Sequence, residues 1–118
     1  MQLNILGTTY HVKRYGYKEK PIFEARSCDG YCDPIEKEIA IADHSTHPAF
    51  KDESEEYRRK SEMLTLRHEI VHAFFNESGL MDSSLQYNGG WARNEEMVDW
   101  IASQCSKIME CFKKADCL

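Results

Sequence analysis

The sequence predicts an α+β fold, with a small antiparallel or mixed sheet of about three strands followed by two main helices. Two observations support this class. Short runs rich in β-branched and aromatic residues occupy the first 50 positions, and the second half carries apolar residues at helical spacing. A chain of 118 residues is long enough for one hydrophobic core and too short for two. We therefore expect a single domain over residues 1–118.

Three runs predict the strands of the sheet. QLNILG (2–7) and TTYHVKRYGY (8–17) flank Gly7 and are typical of a hairpin or of two neighbouring strands. The next segment, CDGYCDP (28–34), is interpreted as a turn because of its Asp, Gly and Pro content. IEKEIAIAD (35–43) alternates Ile39 and Ile41 with small or charged neighbours, which predicts a half-buried strand before the loop HSTHPAF (44–50).

The first long helix is expected from about Glu53 to Glu77. Gly79 suits the left-handed position that commonly follows a helix C-terminus, and Asp52 with Glu55 predicts a capping box at the start. Apolar residues between positions 63 and 75 lie on nearly every side of this helix. The pattern therefore predicts a helix that is buried all round.

The second long helix is expected to begin near Arg93, after a loop over MDSSLQYNGGWA (81–92). Its apolar residues recur at steps of three and four, which is typical of a stripe that faces a core. The stripe consists of Met97, Val98, Ile101, Cys105, Ile108, Met109 and Phe112.

Composition excludes several classes of function. The charged fraction of 30% and the hydrophobic fraction of 42% are those of a soluble globular protein. The net charge of −5 argues against a phosphate-binding surface, so nucleic acid is not an expected partner. Residues 1–20 contain no apolar run of signal-peptide or membrane-spanning length, so we expect a cytoplasmic protein without a membrane partner.

The five cysteines cannot all pair within one chain, and most are expected to be reduced thiols. Cys105, Cys111 and Cys117 fall in the expected last helix, where they would pack as small hydrophobic side chains. Cys28 and Cys32 form CxxxC, which is a weak zinc signal without a second pair of ligands. A thiol-based redox or metal sensor using these two cysteines is an alternative that little supports.

The chemistry is concentrated in TLRHEIVHAFFNESGL (65–80), where polar residues interrupt an apolar helix. His68 and His72 are four residues apart, so a helix presents both imidazoles on one face, close enough to bind one metal ion. Glu69 lies about 100° further round, beside the pair, where it could contact a water on that ion. The alternative is a pair of hydrogen-bonded core histidines, because buried polar groups need partners.

A second cluster, NEEMVD (94–99), offers the third ligand that a catalytic zinc site needs. Glu95 falls at the edge of the apolar stripe, whereas Glu96 points about 100° further toward solvent, so Glu95 is the better ligand. Asp99 lies one turn beyond Glu95. It is placed to accept the second N–H of a metal-bound histidine, which fixes the tautomer.

HEIVH (68–72) and NEEMVD (94–99) together resemble the gluzincin metallopeptidases, the thermolysin-like class with HExxH followed on a second helix by NExxxD. The residues that match are His68, Glu69, His72, Asn94, Glu95 and Asp99. The resemblance implies a zincin-like domain in which His68, His72 and Glu95 hold Zn²⁺. It also implies that Glu69 is the general base and that Asp99 supports a ligand histidine. The compact layout is similar to short phage and prophage proteins grouped near the ImmA/IrrE metallopeptidases.

The chain departs from the larger gluzincins in one respect that concerns the oxyanion. Those proteins add a second domain whose Tyr or His stabilises the tetrahedral intermediate, and the residues after Asp99 include neither type. Tyr87 is the first candidate to replace that group, with His44 or His47 as alternatives. The other interpretation of Tyr87 is a loop tyrosine that covers part of the core.

These observations predict a minimal zinc metallopeptidase that hydrolyses peptide bonds, with a protein or peptide as its substrate. The substrate is expected to lie along KEIAIAD (37–43) if that strand forms the sheet edge beside the metal. The alternative is a non-catalytic, zinc-stabilised module that binds a protein partner. Glu69 favours the enzyme, because a structural zinc site does not require a base next to the metal. The sequence leaves the oligomeric state open.

Overall fold

The computed structural model describes residues 1–83 and 95–118, except for the side chains at 82, 83, 95, 98, 99 and 102. Within this part the fold is α+β, with four strands in the order β1-β2-β4-β3. The strands are β1 (Gln2–Ile5), β2 (Thr8–Gly16), β3 (Gly30–Asp33) and β4 (Glu38–Asp43). The helices are α1 (Pro21–Arg26), α2 (Glu55–Ser78), α3 (Leu80–Ser83) and α4 (Glu95–Lys114), with single 3₁₀ turns at Tyr17–Glu19 and Pro48–Phe50. The predicted class is confirmed, with one strand more than expected.

The N-terminal hairpin is confirmed. β1 and β2 pair antiparallel, with Ile5 opposite Thr8. The connection uses left-handed backbone at Leu6 (φ 52°) and Gly7 (φ 97°), and the Gly7 N–H donates to the Asn4 side-chain oxygen at 2.9 Å. Glycine adopts this backbone without steric cost, which explains its position between the two runs.

The prediction of a simple turn over residues 28–34 is wrong, because Gly30–Asp33 is the edge strand β3, paired antiparallel with β4. Its side chains alternate between two partners that are distant in sequence. Cys32 packs with the core under α2, whereas Tyr31 faces Phe23 of α1, with 5.8 Å between ring centroids. Local turn propensity was overridden here by contacts on both faces.

β4 is buried on both faces rather than half-buried, and only its last residue, Asp43, is partly exposed. Ile39 and Ile41 pack in the main core on one face of the sheet, and Ala40 and Ala42 pack with Phe23 on the other face. The unpredicted helix α1 covers that second face. β4 also lies between β2 and β3, so it is not the sheet edge that the hypothesis of substrate along KEIAIAD (37–43) required.

α2 is the first long helix that was expected, but its N-cap and its burial differ from the prediction. Ser54 caps it by accepting the Tyr57 N–H at 3.1 Å, instead of the predicted box from Asp52. Gly79 ends it with φ 77°, as predicted. The prediction of burial all round is wrong, because only one stripe is buried and Leu64 is 61% exposed. One face packs on the sheet, and much of the remaining surface is open.

α4 packs through Ile108 and Cys111, whose thiol donates to the Asn4 carbonyl of β1 at 3.5 Å. Ile101 is 43% exposed and Cys105 is exposed, so their predicted place in the core is wrong. The contact with β1 is made by Cys111, which lies in the C-terminal half of the helix, after both of these residues. Among the described residues, no helix combines the length and apolarity needed to span a membrane.

The end of α2 is fastened to the sheet by one carboxylate. Glu77 accepts hydrogen bonds from the Thr8 hydroxyl (2.7 Å), the Tyr10 hydroxyl (2.8 Å) and the Lys37 ammonium (2.6 Å). Burial alone would raise the pKa of Glu77, but these three donors lower it below its ordinary value. The Glu77 carboxylate thus fixes the position of α2 along its axis relative to the sheet. It thereby also fixes the residues one and two turns before Glu77.

Candidate metal centre

His68 and His72 meet on one face of α2. Their Nε2 atoms are 3.0 Å apart, and the rings cross at 72° with centroids 4.6 Å apart. His68 is exposed and His72 is half-buried, so they are not the core histidines of the alternative interpretation. Burial and the neighbouring His68 lower the pKa of His72, which favours the neutral imidazole that a metal requires.

The spacing of the two nitrogens fits a shared ion. Two nitrogens bound to one zinc at tetrahedral angles lie roughly 3.3 Å apart, given Zn–N bonds of about 2.0–2.1 Å. The observed 3.0 Å requires only a small rotation of the side chains. Without an ion, the same contact is a hydrogen bond in which one imidazole donates and the other accepts.

The expected third ligand and its helper belong to α4, but the side chains of Glu95 and Asp99 lie outside the described residues, as do Asn94 and Tyr87. Over the described part of the chain, no group of three or more His, Cys, Asp or Glu side chains is arranged to hold a metal ion. Glu96 is exposed, as predicted. The helical-wheel reason for preferring Glu95 relied on Ile101 and Cys105 facing the core, which they do not.

Glu69 occupies a different environment from the two histidines. It is 6% exposed and lies against β3, where its Cγ would be 3.1 Å from a Cβ placed on Gly30. Burial raises the pKa of the Glu69 carboxyl to about 7. A carboxyl with a pKa near the operating pH is well matched to accept and return a proton.

We expect this carboxyl to make the stability of the metal-free protein pH-dependent. Its folded pKa of about 7 lies above the ordinary value, so its contribution is fully present below the unfolded pKa of about 4.3 and is lost as the pH rises through 7. Urea unfolding in chelator at pH 5 and pH 8 would measure this. Glu69→Gln should gain on the order of 3 kcal/mol relative to the parent between those limits. If the two proteins differ in free energy of unfolding by the same amount at both pH values, the raised pKa of Glu69 is contradicted.

Gly30 allows β3 to approach α2 closely. A Cβ at this position would lie 2.7 Å from the Thr65 methyl group and 3.1 Å from the Ala40 carbonyl oxygen. Gly30→Ala is therefore expected to lower the free energy of unfolding by about 1–3 kcal/mol, the usual cost of overpacking. Urea denaturation measures the loss, and adding Thr65→Ser should restore part of it by removing the nearest atom. Full stability of the single variant would show that β3 moves away without cost.

A cavity of about 390 Å³ opens beside the imidazoles, between α2 and α4. Its walls are mainly apolar, from Leu64, Val71 and Phe75 of α2 and Phe112 of α4, with His68 and His72 on one side. Arg67 also lines it, and its guanidinium donates to the Cys117 carbonyl. Arg67 was not identified as a site residue from the sequence. The available signal was its position directly before HEIVH (68–72).

His44 and His47 both contact other residues within the fold. His44 is fully buried, stacked on Phe50 with 4.0 Å between centroids. His47 accepts the Ala49 N–H at 3.0 Å through Nδ1, and its Nε2 lies 3.2 Å from an Asp29 carboxylate oxygen. Neither lines the cavity, so the structure does not support them as the oxyanion-stabilising group.

All five cysteines are free thiols. Cys111 and Cys117 are buried, as expected for small hydrophobic side chains, although Cys117 follows the end of α4. Burial and the nearby Glu69 raise the pKa of Cys32 to about 12, and its sulfur accepts a hydrogen bond from Asn76 at 3.5 Å. Burial also raises the pKa of Cys28. Reactive thiolates need the opposite shift, so a thiol-based sensor is not supported.

Comparison of the chain with protein-family models, with curated proteins and with solved structures found no match. The case for function therefore depends on the residues of α2 and their surroundings.

Proposed function

We propose that this chain is a zinc-dependent metallopeptidase that hydrolyses peptide bonds in a specific protein or peptide. The observation that carries the proposal is the convergence of the His68 and His72 Nε2 atoms, 3.0 Å apart, on the helix that also holds the buried Glu69. This combination suits a catalytic site better than a structural one, which would not need a carboxyl of raised pKa beside its ligands.

In this proposal His68, His72 and Glu95 hold the metal, and Asp99 orients one of the histidines through its second N–H. The proposal is supported by the 3.0 Å distance between the Nε2 atoms of the two histidines and by the lowered pKa of His72, which favours the neutral imidazole. When bound, Zn²⁺ supplies Lewis-acid polarisation and increases the acidity of water. Tyr87 remains the candidate for stabilising the oxyanion.

Glu69 is assigned the proton transfers. Its carboxylate would take a proton from the attacking water and return it to the nitrogen of the departing amine. Its surroundings suit both steps, because burial against β3 destabilises the charged form and leaves the carboxyl able to hold a proton near neutral pH. The close approach of Gly30 to the Glu69 Cγ limits the positions that the side chain can adopt.

The substrate backbone is assigned to the free edge of β3. Among the strands that the structure describes, β3 is terminal in the sheet and pairs on one side with β4, so its other edge can add a peptide as a further strand. Gly30 of this strand is the residue that lies against Glu69. A peptide paired here would therefore run past the proposed base. β3 thus takes the substrate-binding role that the sequence analysis gave to β4.

The test uses the full chain purified without added metal. We expect about one zinc per chain, and cleavage of an unfolded protein such as reduced casein that stops in chelator and returns with zinc. Bound zinc without any cleavage would favour the non-catalytic protein-binding module instead. Absence of zinc binding would remove both interpretations. The cytoplasm remains the proposed location, and the proposed partner is a peptide or protein substrate.

A further inference from the structure

The cavity beside the imidazoles combines two chemical characters. Leu64, Val71, Phe75 and Phe112 give it broad apolar walls, and Leu64 is 61% exposed although it is a large hydrophobic residue. At about 390 Å³ it is in the size range of ligand-binding clefts. Such a surface favours a bulky apolar side chain, because burial of that side chain removes apolar area from water on both partners.

Arg67 is the permanently charged residue in this lining. Its guanidinium donates one N–H to the Cys117 carbonyl, which fixes the end of a long side chain that would otherwise be mobile. A guanidinium has five N–H groups, so donors remain for a second acceptor. The carbonyl is neutral, and among the side chains that the structure describes no carboxylate pairs with Arg67, whereas Arg14 pairs with Asp43 and Glu62.

We propose that Arg67 and the apolar cavity form a subsite for a bulky apolar residue next to a carboxylate. The apolar side chain would contact Leu64, Val71, Phe75 and Phe112, and Arg67 would pair with the carboxylate. This assignment rests on the proposed function, because it takes the cavity beside His68 and His72 as a side-chain subsite for the substrate whose backbone is assigned to β3.

Charge argues for a carboxylate rather than another polar group. Arg67 presents a planar pair of donors that matches the two oxygens of a carboxylate. The walls beside Arg67 are mainly apolar and offer few competing acceptors, and a charge-assisted hydrogen bond is stronger than one between neutral groups. The net charge of −5 does not favour an acidic peptide, so we assign the expected preference to the local cation Arg67.

The experiment measures binding rather than turnover. Fluorescein-labelled pentapeptides with central Glu-Leu or Gln-Leu are titrated into full-length, zinc-loaded Glu69→Gln protein and followed by anisotropy. The Glu peptide is expected to bind on the order of tenfold more tightly, consistent with one charge-assisted hydrogen bond. A third peptide, Gln-Leu with a free C-terminal carboxylate after Leu, shows whether the carboxylate comes from a side chain or a terminus. Equal affinity for all three peptides would overturn the proposal, whatever the behaviour of any variant at position 67.

Two further variants assign the preference to Arg67. Arg67→Gln should remove the discrimination, whereas Arg59→Gln, an equal loss of charge at an exposed position on the same helix, should keep it. Arg67→Glu should invert the preference toward a Lys-Leu peptide, which a purely structural role at the Cys117 carbonyl would not produce. A preference for the acidic peptide that persists in Arg67→Gln would overturn the proposal. If the parent chain cleaves no peptide while charge-dependent binding remains, the peptidase function fails and the binding assignment stands.

Discussion

Glu69→Gln is expected to abolish peptide-bond cleavage while the protein keeps its zinc. A glutamine at this position has nearly the same shape but cannot accept the proton from water, and general acid–base catalysis typically contributes about 10²–10⁴-fold in rate. We therefore expect kcat/KM to fall by at least about 10²-fold, measured on a quenched fluorescent peptide. Zinc content, measured on the same preparation, should remain near one per chain, because Glu69 is not a proposed ligand.

The matched control for this substitution is Glu56→Gln on the same helix. Glu56 forms an exposed pair with Lys60 at 2.6 Å, and such pairs contribute little to stability or to chemistry. The Glu56→Gln variant should therefore cleave the peptide at the same rate as the parent. A Glu69→Gln protein that cleaves within about threefold of the parent rate would remove Glu69 from the role of base.

His72→Ala is expected to eliminate stoichiometric zinc binding. The substitution removes one of the two nitrogens that converge at 3.0 Å, and a zinc site needs three or four protein ligands. The loss of affinity should exceed the roughly 10–100-fold that removal of a residue supporting a ligand causes. Metal analysis after dialysis checks the stoichiometry. In addition, zinc at about 1,000 times its Kd should stabilise the parent by about 4 kcal/mol and leave the variant unchanged.

His11→Ala provides the control, because His11 is exposed on β2 and absent from the cavity lining. This variant should bind zinc as the parent does. One full equivalent of zinc retained by His72→Ala would show that the metal, if present, is held elsewhere. In that case the contact between His68 and His72 would be only a hydrogen bond between two imidazoles.

The sequence by itself determined the features that depend on near neighbours along the chain. The pairing of His68 with His72 follows from the i, i+4 geometry of a helix, and the end of α2 at Gly79 follows from glycine's access to left-handed backbone. The β1–β2 hairpin around Gly7 follows from the same freedom of glycine. None of these features requires knowledge of what packs on them.

Only the tertiary structure decided which faces are covered. It made GYCD (30–33) an edge strand, left Ile101 exposed, buried Glu69 against Gly30 and placed Arg67 in the cavity. Apolar periodicity marks a side chain as able to be buried, but the partner that buries it comes from a distant part of the chain. The raised pKa of Glu69 has the same origin, since desolvation by β3 depends on a close approach between residues nearly 40 positions apart.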